Sequence, residues 1–153
     1  LTAGRIQRIR KYLDDEPFML TYGDGVSDVD LNELLKFHNS HKGAVTITTT
    51  QPVGRFGTIN MEVGTGQIKG FHEKLRGEQA WVNAGFMVME PKVFDYLGDG
   101  SKMLEDTPFT DLVADGELYA YRHEGFWSPM DTIRDKEYLE NLWGTNKAPW
   151  KVE

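Results

Sequence analysis

Asp24 stands between two glycines at the end of an apolar run, in Leu20-Thr21-Tyr22-Gly23-Asp24-Gly25. An acid at the tip of a strand, flanked by residues without side chains, suits two kinds of chemistry. It can face a metal ion or a phosphate, because glycines let a large ligand approach the backbone. It can equally form the Asx bond of a tight turn. A second acid, Asp131, lies in Phe126-Trp127-Ser128-Pro129-Met130-Asp131-Thr132, just before the residue expected to cap a helix. That position favours an anion and also suits a structural acid. Two carboxylates from distant chain positions are a usual way to hold Mg²⁺, which takes oxygen ligands and leaves places for waters and phosphates. The sequence does not show that the two acids meet.

A third group surrounds a predicted hairpin. Phe71-His72-Glu73-Lys74 closes it, and Trp81-Val82-Asn83-Ala84-Gly85-Phe86 opens the next strand. Lys74 could meet a phosphate as a point charge. Glu73 and Asn83 could bond sugar hydroxyls, and Gly85 within a strand suggests close approach by another group. A solvated Glu-Lys pair and an ordinary strand start explain the same residues. His38 and His41 lie three apart with no acid or cysteine at metal spacing, so a core or surface role is expected. There is no Walker loop, no G-x-G-x-x-G and no G-x-S-x-G elbow.

These residues need elements to position them. Arg5 to Leu13 carries Ile6, Ile9 and Leu13 at helical spacing. Pro17 bars continuation, and FMLTY reads as a strand buried on both faces. Asp30 and Glu33 form a capping-box pattern for a helix expected to bury Leu31, Leu34, Leu35 and Phe37 or His38, and to end at Gly43. AVTITTT (44–50) is a β-branched strand. The order helix, strand, helix, strand implies parallel pairing in an α/β layer. FGTINME and GQIKGFHE form a hairpin around Gly64-Thr65-Gly66. A strand over 81–90, short helices over 92–97 and 108–114, a strand ELYAYRHE and a last helix with Tyr138, Leu139, Leu142 and Trp143 follow. The expected fold class is α/β: a Rossmann-like mixed sheet with flanking helices and a β-hairpin, in a single domain over 1–153.

The totals set outer bounds. The 153 residues suit one domain, and 39% hydrophobic content is enough for a core. A net charge of −7 without a basic stripe argues against nucleic acid as a partner. With no cysteine, disulfides and thiolate zinc sites are excluded. The apolar runs are too short to span a bilayer, no signal-peptide pattern opens the chain, and a cytoplasmic location is expected. The chain opens on LTAGRIQRIRKYL rather than on Met, as if in mid-protein.

Taken in order, TAGRI (2–6), YGDGVSD (22–28), GRFG (54–57), FHEK (71–74), VNAGF (82–86), GFWSPMDT (125–132) and KAPWK (147–151) resemble the sugar-nucleotide nucleotidyltransferases. Within that family they resemble the C-terminal part of the glucose-1-phosphate cytidylyltransferase branch. GDG, EK and NAG are widely shared, whereas FWSPMDT followed by KAPWK is the more specific signal for the branch. The resemblance implies attack of a sugar-1-phosphate on CTP, with Mg²⁺ on Asp24 and Asp131. It implies Lys74 on the sugar phosphate and Glu73 and Asn83 on hexose hydroxyls. Gly57 and Gly85 would make room for the ring, and Arg5 would lie near the triphosphate. It also implies a homo-oligomer. One departure stands out: the family's G-x-G-T-R-L type loop, which cradles the triphosphate, is absent from these residues. The chain alone is therefore expected to have little or no activity. A non-catalytic sugar-phosphate-binding or self-associating module, or a UTP- or dTTP-dependent enzyme, are the alternatives.

Overall fold

A computed structural model describes residues 1–52, 57–61, 68–73 and 80–151, with 57–61 and 68–73 described by their backbone alone. Helix α1 (Thr2–Ile9) runs into a 3₁₀ turn (Arg10–Tyr12) and is followed by β1 (Phe18–Thr21) and β2 (Gly25–Ser27). Next come α2 (Leu31–His38), β3 (Val45–Thr50), β4 (Gly57–Met61), β5 (Ile68–Glu73) and β6 (Val82–Met89). A 3₁₀ turn (Pro91–Asp95), α3 (Thr107–Ala114), β7 (Leu118–Arg122), β8 (Trp127–Pro129) and α4 (Ile133–Gly144) complete the order.

The main sheet has the strand order β1-β6-β3-β7 and is mixed. β3 pairs with β7 in parallel, while β6 runs antiparallel to both β1 and β3. This corrects one expectation. β1 and β3 point the same way but are not neighbours, because β6 lies between them. A helical crossover fixes direction, whereas adjacency depends on a strand that arrives later in the chain. The hairpin expectation holds: β4 and β5 pair antiparallel, with Gly57 opposite Glu73. Its turn at 64–66 lies outside the described residues.

β3 and β6 are the buried centre, as their runs of Val, Ile, Thr and Met require. Val45, Met87 and Met89 face Ala3 and Ile6 of α1, Val93, Phe94 and Leu97 of the 91–97 segment, and Leu112 of α3. Each such side chain contributes about 1.5–3 kcal/mol by leaving water. On the other face, α2 supplies Leu34 and a buried His38. His38 Nδ1 lies 2.8 Å from Thr46 Oγ1 and its Nε2 lies 3.1 Å from Glu90 Oε1. Of the expected pair Phe37 or His38 it is thus His38 that is buried, whereas Leu31, also expected to be buried, is 48% exposed. α2 ends at His38, before Gly43. Asp30 does cap it, accepting N–H bonds from Asn32 and Glu33. In α4, Leu139 is buried, but Tyr138 and Trp143 are exposed. Among the described residues, no helix is long and apolar enough to cross a membrane.

Candidate functional site

The site is built where β1 runs out. Tyr22 N–H still bonds Gly85 C=O at 2.9 Å, extending the β1–β6 ladder by one residue. The chain then turns through Gly23 and Asp24 into β2. β2 pairs antiparallel with β8, with Gly25 opposite Pro129 and Ser27 opposite Trp127. The ladder continues as Met130 N–H donates to the Asp24 carbonyl at 2.7 Å. Two segments far apart in sequence therefore place Asp24 and Asp131 at the same end of one small sheet. Asp131 also immediately precedes Thr132, whose side chain accepts from Asp135 N–H in a complete capping box.

Both acids are exposed. Neither carboxylate takes part in a hydrogen bond or ion pair among the described residues. Uncommitted carboxylates of this kind fit a hard cation that draws its remaining ligands from water and phosphate. No group of three or more His, Cys, Asp or Glu converges among the described residues, so an all-protein metal cage is not what they form.

The start of β6 adjoins this corner. Trp127 Nε1–H donates to the Ala84 carbonyl at 2.9 Å, tying β8 to the Asn83-Ala84-Gly85 segment. Gly85 has φ +82°, and a Cβ there would lie 3.2 Å from Tyr22 Cβ and Cδ2. The glycine is thus required both by the left-handed backbone and by the tyrosine ring beneath it. Asn83 Oδ1 accepts the Gly85 N–H at 2.9 Å. Its Nδ2 is buried and has no hydrogen-bond partner among the described residues. The Tyr22 hydroxyl donates to Glu105 Oε1. Burial raises its pKa most, followed by that bond and the charges of Glu105 and Asp24.

The structure therefore brings Asp24, Asp131, Asn83 and Gly85 into one connected corner. Gly57 and Glu73 face one another across the hairpin. The Glu73 side chain and Lys74 lie outside the described residues. Arg5 is exposed on α1, and no hydrogen bond or ion pair among the described residues ties its side chain to Asp24 or Asp131. A cleft of about 560 Å³ lies elsewhere, lined by Asp95, Tyr96, Asp99, Lys102, Asp111 and Asp115. None of these belongs to the motifs, so volume alone does not mark the site. Sequence reasoning missed the roles of Tyr22 and Trp127, although both sit inside the motifs it singled out.

Comparison with known proteins agrees with this architecture. The family model described as nucleotidyl transferase matches residues 2–137. Glucose-1-phosphate cytidylyltransferase from Salmonella typhi is 46% identical over 153 residues, which is 99% of this chain and 59% of that protein. A Bacillus subtilis protein assigned the same activity is 43% identical, with the same coverage of both chains. The chain thus spans about three-fifths of the length of the curated relatives it matches. A solved structure from Bacillus anthracis, assigned as a glucose-1-phosphate thymidylyltransferase, superposes with a TM-score of 0.67 at 15% identity. It covers all of this chain and 62% of that one, and at such low identity it supports the fold. The mixed sheet, its hairpin and the family match agree: this chain belongs to the nucleotidyl transferase family.

Proposed function

We propose that the chain carries the metal- and sugar-phosphate-binding portion of an enzyme that joins CTP and glucose-1-phosphate into CDP-glucose and pyrophosphate. The observation that carries this reading is the β2–β8 ladder, closed by Met130 N–H on Asp24 C=O, which sets Asp24 and Asp131 at one end of a two-stranded sheet. In the reaction, a sugar-phosphate oxygen bonds to the α-phosphorus and the bond to pyrophosphate breaks. Protein work of this kind is in-line positioning and neutralisation of phosphate charge. Asp24 and Asp131 would hold Mg²⁺, which when bound supplies positive charge against the phosphates. Lys74 binds the sugar phosphate, and Glu73 and Asn83 bind hexose hydroxyls. Asn83 Nδ2, without a partner among the described residues, is a donor available for such a hydroxyl. Gly57 and Gly85 leave room for the ring, and Arg5 serves the triphosphate.

The test uses the whole enzyme of which these residues form part, with pyrophosphate release as readout. Asp24→Ala and Asp131→Ala should each abolish Mg²⁺-dependent turnover and leave the circular dichroism spectrum unchanged; near-normal rates in either overturn the metal assignment. Lys74→Ala should raise the KM for glucose-1-phosphate. Competition among CTP, UTP and dTTP decides the base.

A second reading concerns residues 1–153 by themselves, which contain no G-x-G-T-R-L type loop. Residues 1–153 alone would then bind a sugar phosphate, or one another, without turnover. β1 and β7 each leave an outer edge without a strand partner among the described residues, which suits association with another copy. Calorimetry with glucose-1-phosphate and CDP-glucose, together with sizing in solution, separates the two readings. Robust turnover by these residues alone excludes the second.

A further inference from the structure

A second acid of the YGDGVSD segment is used differently from Asp24. Asp28 Oδ1 accepts the Phe126 N–H at 2.7 Å and lies 2.9 Å from His123 Nε2. The same Nε2 is 3.0 Å from the Phe126 carbonyl. Both neighbours are acceptors, so Nε2 must carry the proton. The Phe126 carbonyl also accepts from Ser27 Oγ–H at 2.9 Å and from Asp28 N–H at 3.3 Å. His123 is itself nearly buried and is anchored to the main sheet, its N–H donating to Thr49 C=O at 2.8 Å.

Gly125 completes the arrangement. A Cβ there would stand 2.5 Å from both Asp28 Oδ1 and His123 Cε1. Only a residue without a side chain lets the 125–126 backbone wrap the carboxylate so closely. The clasp sits directly at the other end of the β2–β8 pair from Asp24 and Asp131. A three-residue ladder of this kind has little stability of its own, so its register depends on what fastens its far end.

We propose that Asp28, held by His123, is a positioning residue that fixes the β2–β8 register and thereby the spacing of the Asp24 and Asp131 carboxylates. The inference rests on the metal reading above for its consequence, but not for its geometry. It therefore has two separate readouts. The first is amide hydrogen exchange at Met130, whose bond to Asp24 C=O reports the register. Asp28→Ala should speed exchange at Met130 by about tenfold or more while amides of β3 stay protected, as expected of local opening. Asp28→Asn keeps an acceptor oxygen and should restore most of the protection. His123→Gln provides an independent variant should Asp28→Ala fold poorly. The second readout is Mn²⁺ affinity, followed by electron paramagnetic resonance. Asp28→Ala should weaken it by about tenfold, the scale of outer-sphere effects on metal sites, while Asp28→Asn stays close to wild type.

Unchanged Met130 exchange in both Asp28→Ala and His123→Gln overturns the proposal. So does unchanged Mn²⁺ affinity in Asp28→Ala when Asp24→Asn abolishes binding. If the wild-type chain binds no Mn²⁺, the metal reading fails, and Met130 exchange still decides the clasp.

Discussion

Gly85→Ala tests the strand-to-turn corner most directly. At φ +82° an alanine pays for a left-handed backbone, about 1–2 kcal/mol. Its methyl would also stand 3.2 Å from two carbons of Tyr22, tighter than a relaxed contact, in a segment pinned by the Tyr22 N–H to Gly85 C=O bond. Crowding of that kind costs about 1–3 kcal/mol. Together the expected loss is about 3 kcal/mol, or about 6–12 °C in Tm for a domain of this size. Urea unfolding should show a lower midpoint with an unchanged m value. In a Tyr22→Ala background the ring contacts are gone while the contact with Cβ of residue 22 stays, so the same substitution should cost less than in wild type and no less than the backbone contribution of about 1–2 kcal/mol. A loss below about 1 kcal/mol in the wild-type background refutes the backbone argument. Equal losses in both backgrounds refute the argument from the ring.

Three further outcomes follow from the same geometry. Burial, and next the neighbouring His38, hold the His41 pKa below its usual 6.5, with Glu117 and Glu90 opposing; its Nδ1 already accepts the Gly43 N–H at 3.0 Å. The folded state then binds fewer protons than the unfolded chain, so this contribution is present above pH 6.5 and is lost as pH falls through the lower folded value. Urea midpoints should decline below that pH in wild type, and the decline should flatten in His41→Gln. Tyr22 should be the last of the six tyrosines to ionise in an ultraviolet titration, and Tyr22→Phe should remove that final step; its persistence would refute the assignment. Thr132→Ala removes the side-chain half of the α4 capping box, the Asp135 N–H bond to Thr132 Oγ1 at 3.2 Å, together with the hydroxyl's bond to Asp135 Oδ2 at 2.9 Å, and keeps the Thr132 N–H bond to Asp135 Oδ2; it should cost about 1 kcal/mol in thermal unfolding, whereas Thr132→Ser should cost little.

The main strands were legible because their composition is local evidence. β3 is β-branched throughout and β6 is mostly apolar, and the structure places them at the sheet's centre. Asp30 and Thr132 likewise announced their helices through short-range capping patterns. β2 and β8 were not legible. Three residues carry no periodicity, and each is a strand only because the other lies beside it. The meeting of Asp24 and Asp131 depends on that pair, so it could not be read from either motif. The exposure of Leu31, and the burial of His38 rather than Phe37, have a similar cause. A helical stripe predicts which residues face inward, but only Thr46 on β3 and Glu90 just beyond β6 make a buried imidazole acceptable. The family's known motifs filled part of this gap, since they carry the result of such distant pairings without showing how they arise.

The position of β6 between β1 and β3 has a consequence for how the chain comes to be folded. During synthesis β1 and β3 emerge before β6, yet the two are not neighbours in the final order. The place between them is filled only when residues 82–89 arrive. β7 must then join β3 from the far side, later still. Pairings of such long sequence separation form slowly, and exposed edges invite wrong partners meanwhile. A ribosome pausing shortly before β6 would hold the nascent chain at its most vulnerable moment, and a chaperone would be needed most there.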